Sequence, residues 1–575
     1  MIIRNIAHRF LVPMLFCLLL PWNLLHAQAE IVSVDNPVYD FLKRMEVKGL
    51  IDRYHDAVLP LSRQVVASYL DTLTVKRGVL SGVEQEMLAR FFREFQFDRN
   101  GDLGNAHSII SSSSAQDPSG FFDAEMSEKE KFVYAGVDSS VAFFANGLLD
   151  IDGRAITGDA LGSTLSEFVQ VGARIRGSIW KRLGFYGQFT NSAFWGSRAL
   201  LARDRIVAQS HELDVGSGRN FDFSEGSIRY DAGIVSAEIG SERILWGLGY
   251  DQKMVLSDNA RPSDVLQFDL HYKGLSYSFV HAWLLGSSSS IVFSLPSDTS
   301  ARFVEPVNAD KYLAAHRIEF VFSPSVTAGF QEMYVYSNRA PDLAYFNPLV
   351  LLESAQRRRG ERDNGFWAFD LKTCPWNGVQ VQGTILYDDI NVPYMFSDKW
   401  FDRYAWQVGG MIVDPLGVRN TAVMVEYTRV EPYVFSHGRS REDSYTNSGD
   451  LLGTRIFPNS DSWFFRLDCL IRPNLTVSAR VTFIRHGNNI FALDGTLIRN
   501  VGGDPLQPHR DSDPETKRFL DGDLVRTGNV QVQATWQPIR QIWLDGIMSV
   551  DSQQKATDPS RQGNRFLDLR LRMVF

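Results

Sequence analysis

From Glu130 to Phe575 the chain repeats one unit: an alternating segment, a tight turn, a second alternating segment, then a long polar connection. Val169, Val171, Ala173, Ile175 and Ile179 oppose Gln170, Arg174, Arg176 and Ser178. Leu266, Phe268, Leu270 and Tyr272 oppose Gln267, Asp269, His271 and Lys273. Val379, Val381, Ile385 and Tyr387 oppose Gln380, Gln382 and Thr384, and Val530, Val532, Ala534 and Trp536 oppose Gln531, Gln533 and Thr535. Successive side chains of a strand point to opposite faces, so each segment carries one apolar and one polar face. Tight turns fall near Lys181-Arg182, Ala232-Gly233, Lys273-Gly274, Pro324, Pro375 to Gly378, Pro415-Leu416, Pro473-Asn474 and Pro538. Long connections run from about Asn191 to Asp222, Ser287 to Lys311, Ser337 to Gly365, Val430 to Asp461 and Asn488 to Arg526. With about 18 strands, every long connection joins an odd strand to an even one and every tight turn does the reverse. A soluble β-protein has no reason to sort its loops by parity, whereas outer-membrane barrels have short periplasmic turns and long external loops. The expected fold class is an all-β transmembrane barrel of about 18 antiparallel strands over residues 130–575.

Both chain ends agree. In the last segment Leu567, Leu569, Leu571, Met573 and Phe575 share one parity, and Asp568, Arg570 and Arg572 the other. A closing strand that ends on a bare aromatic resembles those read by the barrel-insertion machinery, a partner expected to act through Phe575. At the other end Arg4 and Arg9 precede an apolar stretch from Phe10 to Leu20, and Ala27-Gln28-Ala29 offers a cleavage site before Glu30. Residues 1–29 are expected to be a secretory signal peptide. Its removal takes the formal net charge from −8 to about −10, which disfavours a nucleic-acid partner. Two cysteines then remain, Cys374 and Cys469; they could pair, but two thiols make no disulfide framework. No later apolar run is long enough for a spanning helix. Aromatics near strand ends, such as Trp180, Phe185, Tyr186, Tyr387, Trp406 and Trp543, suit interfacial girdles against outer-membrane lipids.

Before the strands lies a helical module, residues 30–107, expected in the periplasm. Asn36-Pro37 starts a helix carrying Val38, Phe41, Leu42 and Met45. Ser62 caps a second helix with Val66, Tyr69, Leu70 and Leu73, and Ser81 with Glu84 forms a capping box before a third. The run from Asp98 to Gly104 fails the calcium-loop pattern, with Leu103 at its sixth position and Ile109 at its twelfth, and reads as a polar turn. Residues 108–129, with four consecutive serines, read as a linker.

Trp246-Gly247-Leu248-Gly249-Tyr250, followed by Leu256-Ser257-Asp258-Asn259-Ala260-Arg261-Pro262, resembles the W-G-x-G … S-x-N-A-x-P segment of the Wzi-type capsule-assembly family. Phe346-Asn347-Pro348 with Glu361-Arg362-Asp363-Asn364, Glu426-Tyr427 with Glu431-Pro432-Tyr433 and His437, and Tyr445 and Asn447 with Leu452-Gly453 and Pro458-Asn459-Ser460-Asp461-Ser462 resemble later segments of that family in the same order. Pro60-Leu61-Ser62-Arg63 resembles its N-terminal part. The resemblance implies a closed or nearly closed barrel with a periplasmic helical bundle, in the outer membrane of a Gram-negative-type cell. It further implies a lectin-like role on surface polysaccharide, with a largely plugged lumen and neither cofactor nor catalytic residues.

The residues permit that role, since acidic glycans need cations and sugar rings need aromatic faces. Arg357, Arg358, Arg359 and Arg362 form one dense cationic cluster, and Tyr433, His437, Arg439 and Arg441 mix cations with an aromatic. These arginines could instead pair with Glu361, Asp363, Glu442 and Asp443, closing the loops over the lumen. A porin for small solutes would share the barrel. Arg174, Arg176, Asp269, Lys273, Arg570 and Arg572 would then line a water path rather than cross-pair. Asp511, Asp513, Glu515, Asp521 and Asp523 could hold a cation but read as a solvated loop, and no G-x-S-x-G turn marks an enzyme.

Overall fold

The computed structural model describes residues 28–110, 127–159, 162–196, 207, 209–215, 218–295, 298–360, 362–438, 440–558 and 560–575. Residues 1–27 of the expected signal peptide, most of the expected linker, and Arg439 lie outside them.

Eighteen antiparallel strands close on themselves. They are β1 Val141–Gly158, β2 Gly162–Ile179, β3 Leu183–Gly196, β4 Gly218–Asp231, β5 Val235–Glu242, β6 Ser263–Tyr272, β7 Leu275–Leu295, β8 Asp298–Ser323 and β9 Val326–Ser337. The second half comprises β10 Asn364–Trp376, β11 Val379–Asp388, β12 Arg403–Val413, β13 Thr421–Val430, β14 Ser460–Arg472, β15 Leu475–Asn488, β16 Asp523–Ile539, β17 Ile542–Lys555 and β18 Gln562–Val574. β18 closes on β1, with Arg570 opposite Asp152 and Leu571 opposite Ile151. At the foot of that seam the Phe575 amide donates to the Gly147 carbonyl at 3.0 Å.

The faces follow the alternation. Val171, Val381, Val530, Val532, Leu567 and Leu569 are exposed, while Ser178, Gln267, Asp269, Gln380 and Gln382 are buried inside. Three expectations are corrected. Tyr186 shares the inward parity of Gln188, and Trp543 that of Asp545, so neither joins a girdle; both line an internal cavity. The last tight turn is Arg540-Gln541, and Pro538 sits beside a register shift just before it. Residues 287–311 are not a loop: β7 and β8 stay paired from Leu275–Phe320 out to Leu295–Asp298 as one long hairpin. Cys374 on β10 and Cys469 on β14 are free thiols.

The module forms the expected helices: α1 Val38–Val47, α2 Arg63–Val75 and α3 Gly82–Glu94. Asn36 Oδ1 accepts from the Val38 amide at 2.9 Å, Ser62 caps α2, and the Ser81–Glu84 capping box is complete. Their apolar stripes meet in one core of Phe41, Leu42, Met45, Val66, Leu70, Leu88, Phe91 and Phe95. The chain then adds a short helix, α4 Gln96–Asn100, where a polar turn was expected. Asp98 is buried and receives both Arg63 Nε at 2.9 Å and Arg63 Nη2 at 2.7 Å.

These helices lie against the inner wall at the tight-turn end. Val47 packs with Met411, Val413, Ala422 and Met424, all inward residues of β12 and β13. Ion pairs join module to wall: Asp56 and Glu46 to Lys372 at 2.5 and 2.7 Å, Glu30 to Arg176 at 3.0 Å, and Asp40 to Arg466 at 3.0 Å. Arg44 and Lys48 reach Asp414 in a tight turn at 2.6 and 3.0 Å.

Candidate functional site

The lumen is built asymmetrically. Along β6–β13 it is filled by one apolar core, which takes Val280, Leu313, Met333, Phe366 and Leu386 from the wall. Its other half comes from two chain segments inside the barrel: Ile244 to Ala260, between β5 and β6, and Val434 to Ile456, between β13 and β14. Along β15–β18 and β1–β3 the inward residues are polar, among them Arg480, Gln531, Gln533, Thr535, Gln170 and Gln188, and they remain partly exposed. Here a cavity of 840 Å³ separates wall from helices.

The segment from Leu245 to Asn259 is the strut of this interior. Leu245 and Trp246 pair with Leu59 and Val58 of the module, and the Gly247 amide donates to the Ala57 carbonyl at 2.8 Å. Glu426 on β13 then accepts from three consecutive amides, those of Tyr250, Asp251 and Gln252, at 2.5, 3.2 and 2.9 Å. Farther on, Gln252 Oε1 accepts from Thr454 and from the Arg455 amide, the Tyr445 hydroxyl donates to the Val255 carbonyl at 2.8 Å, and the Ser257 amide donates to the Leu452 carbonyl. Module, strut and returning loop thus form one hydrogen-bonded stack through the barrel.

The candidate binding residues do not converge. Tyr433 and His437 belong to the returning loop and are buried. The Tyr433 hydroxyl donates to the Asn500 carbonyl at 3.1 Å, and burial pushes it well above the ordinary phenol range. His437 Nδ1 lies 3.6 Å from Asp443. Arg441 is exposed.

The arginine cluster lies elsewhere. Had the arginines paired with neighbouring acids, their loop would have closed over the lumen; residues 338–360 instead fold over the outward face of β7–β9. The outward rings of Tyr312, Tyr334 and Tyr336 are buried beneath Tyr345, Leu352 and Ala355. Phe346 stacks on outward-facing His281 at 3.9 Å. Glu332 accepts from the amides of Leu352 and Glu353 at 2.8 and 2.7 Å, which fixes the start of helix α5, Leu352–Arg358. The helix ends in the cluster. Arg357 pairs with Glu353 and Arg359 with Asp342, each at 2.7 Å, leaving both largely exposed. Arg358 and Arg362 are exposed and have no carboxylate partner among the described residues. Asp363, one of the acids expected to neutralise this cluster, is buried and committed to Arg339 and Tyr345.

The sequence reading passed over an aromatic group at the loop end. Trp400 stacks on His509 at 3.9 Å with the planes 4° apart, and Tyr433 meets His509 edge-on at 5.3 Å. The loop from 389 to 402 is locked to the last long loop by Trp400 N to Glu515 O and Lys517 N to Asp398 O. Tyr394, Phe396, Trp400 and Phe401 crowd this one loop, a composition unlike that of a solvated tip. Their partner His509, more than a hundred residues away, was not inferable. In the acidic run, Asp513 is taken up by Arg510 and Asp521 by Arg499.

A sequence model described as capsule assembly protein Wzi matches residues 177–540. Among solved structures, Escherichia coli Wzi is an outer-membrane protein of group 1 capsule assembly described as a carbohydrate-binding β-barrel. It matches with a TM-score of 0.54 at 12% identity, over 94% of this chain and 99% of that one. OprD and OpdK of Pseudomonas aeruginosa match at 9% and 11% identity over 75% of this chain, and 95% and 99% of theirs, with TM-scores of 0.39 and 0.40. A search of curated proteins found no match.

Proposed function

This outer-membrane β-barrel belongs to the Wzi capsule assembly family, and on that premise we propose that it holds an acidic surface polysaccharide as a lectin, without transporting it. The observation that carries the reading is the exposed cluster Arg357, Arg358, Arg359 and Arg362, at and just beyond the end of a helix that Glu332 and Tyr334 pin to the outer wall. A planar guanidinium pairs with a carboxylate through two parallel hydrogen bonds, so four of them beside the barrel suit a polymer bearing repeated uronates. Arg441 adds a further exposed cation on the returning loop. The buried Tyr433 and His437 position that loop. On this reading the helical module closes the tight-turn end, in the periplasm, and the returning loop closes the other. What supports closure is the continuous stack of module, strut and loop, together with the cross-pairing of Arg176, Asp269, Arg570 and Arg572.

The test is binding of a uronate-containing capsular polysaccharide to the detergent-purified protein. The R358Q/R362Q variant removes two exposed guanidiniums that have no carboxylate partner among the described residues; binding should weaken about tenfold or more. Unchanged binding would remove the cluster from the site, and no binding by the unaltered protein would sink the lectin reading. One observation favours a small-solute channel instead: the partly exposed polar wall of β15–β18 and β1–β3 beside the cavity. Steady conductance of the unaltered protein in a planar bilayer would make that reading the better one.

A further inference from the structure

A second cationic surface lies on the outward face of β13–β16, away from helix α5. Its base is apolar: Val425, Phe465, Val481 and Val530 are consecutive register partners. One outward step toward the loop end comes an aromatic row, Tyr427, Trp463 and Phe483, with Tyr427 and Trp463 in ring contact at 4.8 Å. The next outward step is charged: Arg429 faces Asp461, Asp461 faces Arg485, and Arg485 faces Arg526. This order matches the layers of a leaflet, from hydrocarbon through the aromatic girdle to the headgroups.

The last long loop brings Lys517 to the same face, with exposed Arg518 next to it in the chain. Phe519 lies under the Arg429 guanidinium at 3.7 Å, and Lys517 Nζ sits 4.9 Å from the outward ring of Tyr404. Four cations, Arg429, Arg485, Arg526 and the buried Lys517, therefore lie above the aromatic row, three of them beside the buried carboxylates of Asp461 and Glu431. Asp461 holds Arg485 at 2.5 Å, and Glu431 holds Arg429 at 2.6 Å. Arg518 and Arg526 have no carboxylate partner among the described residues.

We propose that this surface is a binding site for a phosphorylated lipid headgroup of the outer leaflet, its acyl chains on the apolar row and its phosphate between Arg485, Arg518 and Arg526. Charge complementarity selects the occupant. Arg526 has no carboxylate partner among the described residues and lies beside the half-exposed Arg485, and their position directly above an aromatic girdle places a bound phosphate at headgroup depth. The site rests on the outer-membrane location and on the loop end facing outward, and it stands whether or not the α5 cluster binds glycan.

The experiment uses the full-length protein in phosphatidylcholine nanodiscs containing a minor fraction of diphosphoryl lipid A, with bound lipid counted by native mass spectrometry. The unaltered protein should retain lipid A, and R518Q/R526Q should bind it about thirtyfold more weakly, from the usual contribution of two basic residues at a charged surface. R518K/R526K keeps the charge and should retain most of the binding. Equal retention by R518Q/R526Q would overturn the proposal. So would equal retention of fully dephosphorylated lipid A, which would leave an apolar contact only. Displacement of lipid A by millimolar inorganic phosphate would likewise overturn it, in favour of a site for the free ion.

Discussion

At the scale of single residues, the strut shows why its motif has the composition it has. Gly249 adopts φ +136°, and a Cβ there would lie 1.9 Å from the Gln252 carbonyl oxygen. No rotamer relieves a clash with backbone, so only glycine lets the chain fold back to present three amides to Glu426. Gly249→Ala should destabilise the protein by about 2 kcal/mol or more through strain and the lost bonds, read by urea unfolding in lipid vesicles. Unchanged stability would mean that the strut does not hold the interior. The sequence revealed the W-G-x-G pattern as a family mark but gave no reason for it, because the carboxylate it serves is 175 residues farther along the chain. Tyr433 and the arginines at the end of α5 are likewise far apart in the chain: residue type suggested that both contact glycan, and the fold buries the tyrosine and exposes the arginines.

Secondary-structure elements were more legible. Caps and apolar spacing act within a few residues, so α1, α2 and α3 form where the pattern predicts. Ser81 carries more than its cap, since its hydroxyl also donates to Asn420 in the tight turn after β12, at 2.5 Å. Ser81→Ala should cost about 1 kcal/mol and raise hydrogen exchange at the first amides of α3, while the strands keep their protection. The errors among elements share one cause. The serine-rich run at 287–290 resembles a loop, yet its backbone has a partner strand available and pairs with it. Asp98 looks solvated until Arg63, on a different helix, is brought beside it. The arginines late in the connection after β9 suit a wet mouth, and the tyrosines on the outer wall explain why residues 338–360 pack outside.

For the whole molecule, the docking of module to wall is partly electrostatic and to that extent depends on pH. Burial alone would raise Asp56, but Lys372 and Lys43, at 2.5 and 2.6 Å, outweigh it and hold the carboxyl well below its ordinary range. Burial likewise opposes Glu84, and Lys48, the Ser81 amide and Arg44 prevail to lower it. Groups depressed on folding add stability that is complete above their unfolded values, about pH 4, and is lost as the pH falls through the folded ones. Glu30 works against this: burial raises it, so its protonation relieves a cost. Asp56, whose partner Lys372 stands on the wall, should therefore help hold docking at about pH 5, and docking should weaken progressively as the pH falls below about 4, before the hydrogen-bonded strand ladder opens. On the closed reading, a planar bilayer would then be silent at pH 5 and conduct after acidification. Silence throughout, with protease still excluded from the module, would show that the apolar contacts around Val47 suffice.

What the sequence determined by itself was everything set by local periodicity and order along the chain. Alternation fixed which faces of the strands are apolar, and loop parity fixed which end of the barrel carries the long connections. Phe575 marked the closing strand, and the helix caps marked the module. Tertiary structure alone decided where the long loops go, because outward, inward and across the mouth are indistinguishable to a pattern of near neighbours. It placed the arginines of α5 on the barrel's flank, drew the returning loop into the lumen, and set Arg429, Arg485 and Arg526 side by side on three strands. Those arginines are tens of residues apart in sequence, and only the register of a closed sheet brings them to one surface.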